Sequence, residues 1–342
     1  MNTHSVDFLI LGAGLAGTMA ARVLSDHHPG KSLLVIDKRP TPDTKNHWAL
    51  LRFRDLDAAR ALGIGVEEIE VEKAVYWRGS LHYSADIAMN NTYSLKTYGH
   101  IGRRSLKELG VAKRYLPLSN PSPRDCQWGT EINALRPGLV VAYSGETRTE
   151  IEYKTCISTI PMDELLKSTA GLDDAYFLPL RENLKKEPIC VFRKKLKGIR
   201  CDVNQTIYFP ESRFSIYRAT LEREEFIIEY MDTGDDAPID ELQEVIGCFG
   251  IPFTRTALGE ISPDDFHRQP YGKTIGIDDD LRRRIIYDLT DTYNLYSVGR
   301  FATWRPLRAD QLVKDVQKVE KMIRQGLLTT KYNRRLNAKS EV

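Results

Sequence analysis

The chain has 342 residues, long for one hydrophobic core and matched to two domains. Apolar residues make up 42% and charged residues 28%, a balance that excludes a disordered or fibrous chain. Lysine and arginine number 49 against 47 acidic residues, a net charge of +2, so bulk electrostatics makes no case for a nucleic-acid or membrane partner and leaves only a local basic patch as a route to one. No stretch approaches the roughly 20 apolar residues of a membrane span. The opening MNTHSVDFLILGAG lacks the basic region of a signal peptide. Cys126, Cys156, Cys190, Cys201 and Cys248 are odd in number and far apart. Neither a zinc cluster nor a disulfide framework is expected, no metal site is assigned, and a cytoplasmic location is the expectation.

Residues 6–11 (VDFLIL) form an apolar run of strand length bounded by glycine. Residues 17–24 carry small and apolar side chains at helical spacing until His27, His28, Pro29 and Gly30 break them, and residues 32–36 (SLLVI) form a second buried-type strand. Strand, helix and strand thus fit within the 30 or so residues of a βαβ unit. Residues 56–72 turn from helix-like to strand-like, and the prolines and serines of 115–124 predict a loop. Residues 189–193, 206–209, 214–220 and 225–230 are short β-branched or aromatic runs between turns, which predict a mostly antiparallel sheet. Helical spacing returns over 240–249, residues 295–298 form a strand running into Gly299 and Arg300, and Leu312, Val316, Val319 and Ile323 define a helix capped by Asp310. The end of the chain reads as a loose polar tail.

Gly12-Ala13-Gly14-Leu15-Ala16-Gly17 fits G-x-G-x-x-G and lies between the predicted strand and helix. Gly12 suits the tight turn, Gly14 lets a pyrophosphate approach the backbone, and Gly17 allows close helix–strand packing. Leu15 and Ala16 then begin a helix whose free N–H groups face phosphate. Asp37 lies 20 residues after Gly17 at the end of the second strand, where a carboxylate accepts ribose hydroxyls. This combination predicts dinucleotide binding. Lys38 and Arg39 follow at once and blur the discrimination against a 2′-phosphate, so NAD and FAD both fit.

Three further segments bear a resemblance to a flavoprotein superfamily. Thr155-Cys156-Ile157-Ser158-Thr159-Ile160-Pro161 resembles the strand and S/T-x-P segment of flavin amine oxidases, protoporphyrinogen oxidases and UDP-galactopyranose mutases. The runs from Tyr208 to Pro210 and on to Tyr217 and Arg218 resemble strands of their substrate domain. Residues 295–305 (LYSVGRFATWR), followed by Asp310 and a helix, are similar to the carboxy-terminal flavin segment of the mutases. The resemblance covers less than half of the chain. It implies an α/β fold: a Rossmann-like FAD-binding domain of the glutathione reductase-2 type with an inserted α+β antiparallel-sheet substrate domain. The expected partition is 1–80, 125–170 and 265–330 for FAD, 81–124 and 171–264 for substrate, and 331–342 for the tail. FAD is the implied cofactor, with Gly299 admitting it to the backbone and Asp310, Gln311 and Leu312 opening the helix aimed at the flavin.

Two departures separate the chain from that pattern. Arg39-Pro40-Thr41-Pro42-Asp43 replaces the glycine-rich run those families carry after the ribose acid, with Asn46, His47 and Trp48 as partial substitutes. Pro306 and Leu307 stand where the mutases carry two tyrosines that hold the substrate pyrophosphate, which disfavours galactopyranose mutase activity. The remaining family chemistry is oxidation or cleavage of a C–N bond in an amino-acid-derived group. The Gly-Arg-Phe-Ala-x-Trp ending also looks like the flavin-dependent lyases with which bacteriophages trim amino acids attached to thymidine in their DNA. That likeness implies a glycyl-modified thymidine substrate and a host-cytoplasm location. The alternatives are a mutase-like isomerase working with reduced FAD and a dinucleotide-binding protein without turnover.

The candidate catalytic residues are Arg300, Lys273 and His47. Arg300 suits bidentate capture of a carboxylate or phosphate, against the competing reading of an arginine paired with a neighbouring carboxylate. Lys273 matches the lysine that amine oxidases hold near flavin N5, and His47 is the best-placed proton-transfer histidine. Arg218, Tyr271, Trp304 and Arg305 are the candidate substrate residues. Lys194, Lys195 and Lys197, with Arg282, Arg283 and Arg284, read as solvated charge runs and as the first places to look if the substrate is DNA.

Overall fold

The computed structural model describes residues 2–42, 51–98, 106–169, 180–197, 203–232, 238–251, 259 and 261–326. Its strands in chain order are β1 (Asn2–Leu11), β2 (Leu33–Asp37), β3 (Val66–Trp77), β4 (Ser80–His82), β5 (Gly110–Pro117), β6 (Cys126–Trp128), β7 (Thr130–Arg136), β8 (Leu139–Ser144), β9 (Thr147–Ser158), β10 (Lys186–Lys195), β11 (Asn204–Tyr208), β12 (Ile216–Glu222), β13 (Glu225–Met231), β14 (Phe266–Thr274) and β15 (Leu295–Ser297). The helices are α1 (Leu15–His27), α2 (Asp57–Leu62), α3 (Ile87–Lys96), α4 (Met162–Lys167), α5 (Ile239–Gly247), α6 (Asp279–Tyr293) and α7 (Ala309–Gln325). None of these helices is long and apolar enough to cross a membrane.

The first sheet runs β6-β2-β1-β9 in parallel. The long strand β9 divides its far edge, pairing antiparallel with β8 along Thr147–Glu152 and parallel with β15 at Cys156–Ser158. Helices cover both faces, which is why β1 is apolar at every core position rather than alternating. Phe8 and Ile10 pack with Met19, Val23 and Leu24 of α1, Leu62 of α2 and Val316 of α7. Leu9 and Leu11 pack on the opposite face with Leu165 of α4 and Ile285, Leu289 and Tyr293 of α6.

The second sheet runs β14-β10-β13-β12-β11-β3-β4, with β5 also paired to β3. All its pairings are antiparallel except β11 with β3. One face carries Leu242, Val245 and Ile246 of α5, and the other carries Met89 and Tyr93 of α3. The chain enters this sheet at Val66, leaves it at Pro117 to build β6–β9 of the first sheet, returns at Lys186 and leaves again at Thr274, so the expected boundaries at 80 and 265 do not coincide with the change of sheet.

Two sequence expectations are corrected by the structure, the start of the 115–124 loop and the cap of α7. The loop predicted from 115 begins only after Pro117, because Tyr115 exchanges backbone hydrogen bonds with Phe53 and pairs with Glu68. The run Arg282-Arg283-Arg284 lies inside α6 with Arg283 and Arg284 exposed, as a solvated charge run would be, and Arg282 and Arg283 pair with Asp279. Asp310 is not the cap of α7: Arg308 holds that position, and the Gln311 side-chain oxygen accepts its backbone N–H at 3.2 Å.

Candidate functional site

Strand β1 delivers its last residue into a turn that only glycine tolerates. Gly12 has φ +97°, and a Cβ there would sit 2.6 Å from the Thr159 hydroxyl. A Cβ on Gly17 would lie 1.8 Å from the Gly12 carbonyl oxygen, so this glycine lets α1 start against the strand. Gly14 differs from both. Its φ is −72°, and a Cβ would meet nothing within 4 Å. The folded chain makes no demand for glycine at this position; the empty space is the room a pyrophosphate would fill. No acidic residue or side-chain cap occupies the first turn of α1, which leaves its N–H groups and positive dipole end for an anion.

Thr159 ties the resembling 155–161 segment to this turn by donating to the carbonyls of Leu11 (2.9 Å) and Gly12 (3.1 Å). Asp37 stands at the end of β2, where its carboxylate accepts the N–H of Ala13 at 2.7 Å and that of Arg39 at 2.8 Å. The Arg39 guanidinium also grips it at 2.9 Å and stacks over Trp128. Burial opposes the charge on Asp37, yet the Arg39 and Ala13 hydrogen bonds outweigh it and hold its carboxyl below the usual range.

These residues line a cavity of about 400 Å³ that includes Gly12, Gly14, Asp37, Lys38, Arg39 and Thr159. A second cavity of about 590 Å³ continues from it between the two sheets. Leu15, Ala16, Tyr271, Gly299, Arg300 and Phe301 line both. Gly299 makes the junction: at φ +106°, a Cβ on it would approach the Ala16 methyl to 3.1 Å. The two ends of the chain therefore share one cleft. Open space at Gly14, a bare helix start and an anchored acid at Asp37 together fit a dinucleotide laid along it.

Arg300 lines both cavities and donates to the Leu307 carbonyl at 3.3 Å. Asp310 and Leu312 line the larger one, whereas Gln311 is spent on the cap of α7. Tyr271 faces the junction, stacked edge-on against Phe301 at 5.2 Å. Its hydroxyl donates to the α4 carboxylates of Asp163 (3.0 Å) and Glu164 (3.1 Å), and burial together with these charges pushes its pKa well up.

Arg218 reaches the larger cavity paired with Glu229, which also accepts the Tyr217 hydroxyl at 2.8 Å. Lys273 packs 4.2 Å above the Tyr217 ring, and burial pulls its pKa down to about 7 despite the Glu229 charge. It does not line either cavity. Trp304 is 2% exposed, adopts φ +46° and donates its indole N–H to the Ile275 carbonyl at 3.1 Å, so it supports the Gly-Arg turn from below. Arg305 turns away to pair with Asp315. His47 lies outside the described residues.

The sequence reading missed Arg52, Arg54, Lys73, Arg114 and Arg308, all of which line the larger cavity. One signal was available. Ile69, Val71, Lys73 and Val75 alternate on the inward side of β3 and all four are buried, so a lysine breaks an otherwise apolar row. Arg52 is held by Glu222 at 2.8 Å and donates to the Thr206 hydroxyl at 3.2 Å. The other cations depend on contacts between elements remote in sequence.

A crystal structure of reduced UDP-galactopyranose mutase superposes with a TM-score of 0.69 at 16% identity, covering 95% of this chain and 96% of that one. The fold is shared. A putative protoporphyrinogen oxidase from Exiguobacterium sp. 255-15 matches with a TM-score of 0.60 at 10% identity (94% and 99% covered). Wild-type putrescine oxidase bound to putrescine gives 0.60 at 11% identity with the same coverage. The Rossmann-like α/β architecture with an antiparallel second layer is thus the one the sequence resemblance implied. No family model and no curated protein sequence matches the chain.

Proposed function

We propose that this chain is an FAD-dependent oxidoreductase that takes a hydride from the carbon beside an amine in an amino-acid-derived group, so that hydrolysis then cleaves the C–N bond. The carrying observation is the single cleft shared by the Gly12–Asp37 turn and the Gly299–Arg300 turn. When bound, FAD supplies a two-electron acceptor for the hydride. Gly12, Gly14, Asp37 and Lys38 would hold the nucleotide half of the cofactor, and Leu15, Ala16, Gly299 and the start of α7 line the cavity that would take its ring, where the helix dipole would favour negative charge. Arg300 orients the substrate at the junction, and Arg218 and Tyr271 shape the adjoining wall. Lys273, whose pKa burial lowers to about 7, stands behind that wall on the Tyr217 ring, outside both cavities, and acts only on the charge around Arg218 and Glu229. A glycyl-modified thymidine is the specific substrate the sequence resemblance suggests.

The test is spectroscopic. Purified protein should be yellow and should release FAD on denaturation. Anaerobic addition of an amine substrate should bleach it. Product formed without net bleaching would instead favour a mutase-like isomerisation, and colourless protein that takes up NAD would remove the flavin reading altogether.

A further inference from the structure

The larger cavity has one wall built from the second sheet, and its charge is unevenly answered. Arg54, Lys73 and Arg114 line this wall together, and among the described residues all three pair with a single carboxylate, Glu108. Arg114 reaches Glu108 at 2.7 Å, while the Lys73 ammonium remains 3.9 Å away. Glu108 is 46% exposed, whereas the Lys73 and Arg114 side chains are 9% and 10% exposed. The acid thus sits on the solvent side and the cations on the cavity side. Burial and the neighbouring arginines pull the Lys73 pKa down to about 8, as expected for a cation placed among like charges without a close counter-ion.

Register explains the convergence. Lys73 pairs with Thr206 of β11, and Thr206 pairs with Thr220 of β12, so one row across the sheet sets an ammonium beside two hydroxyls. The hydroxyls hydrogen-bond each other at 3.1 Å, which leaves one of the two protons to donate. Arg54 and Arg114 add guanidinium donors. A carboxylate, with two oxygens and one charge, would leave donors unanswered here. A phosphate group has three or more acceptor oxygens and up to two charges, and meets the set.

We propose that Arg54, Lys73 and Arg114, with Thr206 and Thr220 beside them, form a phosphate-binding subsite, so the group presented at Arg300 arrives on a phosphate ester. The subsite stands on the cavity wall by itself; only its assignment to substrate rests on the flavin reading. A free nucleoside monophosphate and the backbone of a single-stranded nucleic acid offer the same chemistry.

The experiment is calorimetric titration of the purified protein, with its flavin content read separately from the visible spectrum. The probes are inorganic phosphate, thymidine 5′-monophosphate and a five-nucleotide thymidine strand, with acetate as the anion control at matched ionic strength. Phosphate and the monophosphate should compete for one site and acetate should not. Lys73→Met and Arg114→Gln should each weaken phosphate binding roughly ten- to hundredfold, the loss of one charge-assisted hydrogen-bonded contact. Arg114→Lys should recover part of the loss, and Arg223→Gln, an exposed charge in the turn between β12 and β13, should change nothing. Melting curves certify that each variant is folded. Tighter binding of the strand than of the monophosphate assigns the source to nucleic acid, and the reverse assigns it to a free nucleotide. Equal phosphate affinity in wild type and both cavity variants, or acetate binding as well as phosphate, would overturn the proposal. Colourless protein that still binds phosphate through Lys73 would sink the flavin reading and leave the subsite standing.

Discussion

Replacing Lys73 by methionine should make the protein more stable while removing a binding function. The side chain is 9% exposed, and its pKa falls from 10.5 to about 8. At about 1.4 kcal/mol per pKa unit, holding that lysine charged at neutral pH costs the fold about 3 kcal/mol. Methionine keeps the aliphatic stem and discards the charge, and Glu108 retains Arg54 and Arg114. The expected gain is about 1–3 kcal/mol at pH 7, or about 2–6 °C in Tm. The sign with pH follows from the direction of the shift. A lysine whose pKa is lower in the folded state binds its proton more tightly in the unfolded chain, so the wild-type penalty is complete below pH 8 and is relieved as pH rises toward 10.5. Tm of both proteins measured from pH 7 to 10.5 should therefore converge at the alkaline end. A variant less stable than wild type at pH 7, or a difference that ignores pH, would refute the placement of Lys73 as a cation without a close partner.

The other expectations are independent of it. Gly14→Val should fold with near wild-type circular dichroism yet carry no flavin absorbance, whereas Gly17→Val, whose Cβ would strike the Gly12 carbonyl, should fail to fold or lose several kcal/mol in chemical denaturation. Arg300→Ala should raise the apparent KM and leave flavin content unchanged; an unaltered KM would remove it from substrate capture. Trp304→Phe, which deletes the bond to the Ile275 carbonyl, should cost about 1 kcal/mol of stability with KM unmoved; a changed KM would return Trp304 to the substrate wall.

The glycine turn was legible because its information is local. The turn at Gly12, the open approach at Gly14, the helix packing at Gly17 and the acid at Asp37 all lie within one strand–helix–strand unit, and each residue type answers a backbone or charge requirement that spacing reveals. The resemblance through residues 155–161 and 295–305 marked the other segments, and β9 explains why they meet: it carries Thr159 to the glycine turn and pairs with β15, which ends beside Gly299. Position alone overstated several neighbours. Trp304 and Arg305 follow Arg300 in the chain, but the turn at Gly299 sends one into the core and the other toward Asp315. Asp310 looked like a cap until Arg308 was found in that place.

What the sequence determined by itself was a glycine turn between strand and helix and an antiparallel second region, since both follow from periodicity and short-range sterics. The cationic wall was decided only by tertiary structure. Arg54 lies just before α2, Lys73 on β3 and Arg114 on β5, and a near-neutral total charge hides them. The β3–β5 pairing brings Lys73 and Arg114 to one surface and the Phe53–Tyr115 bridge sets Arg54 beside them, because pairing across a sheet joins residues that chain distance keeps apart.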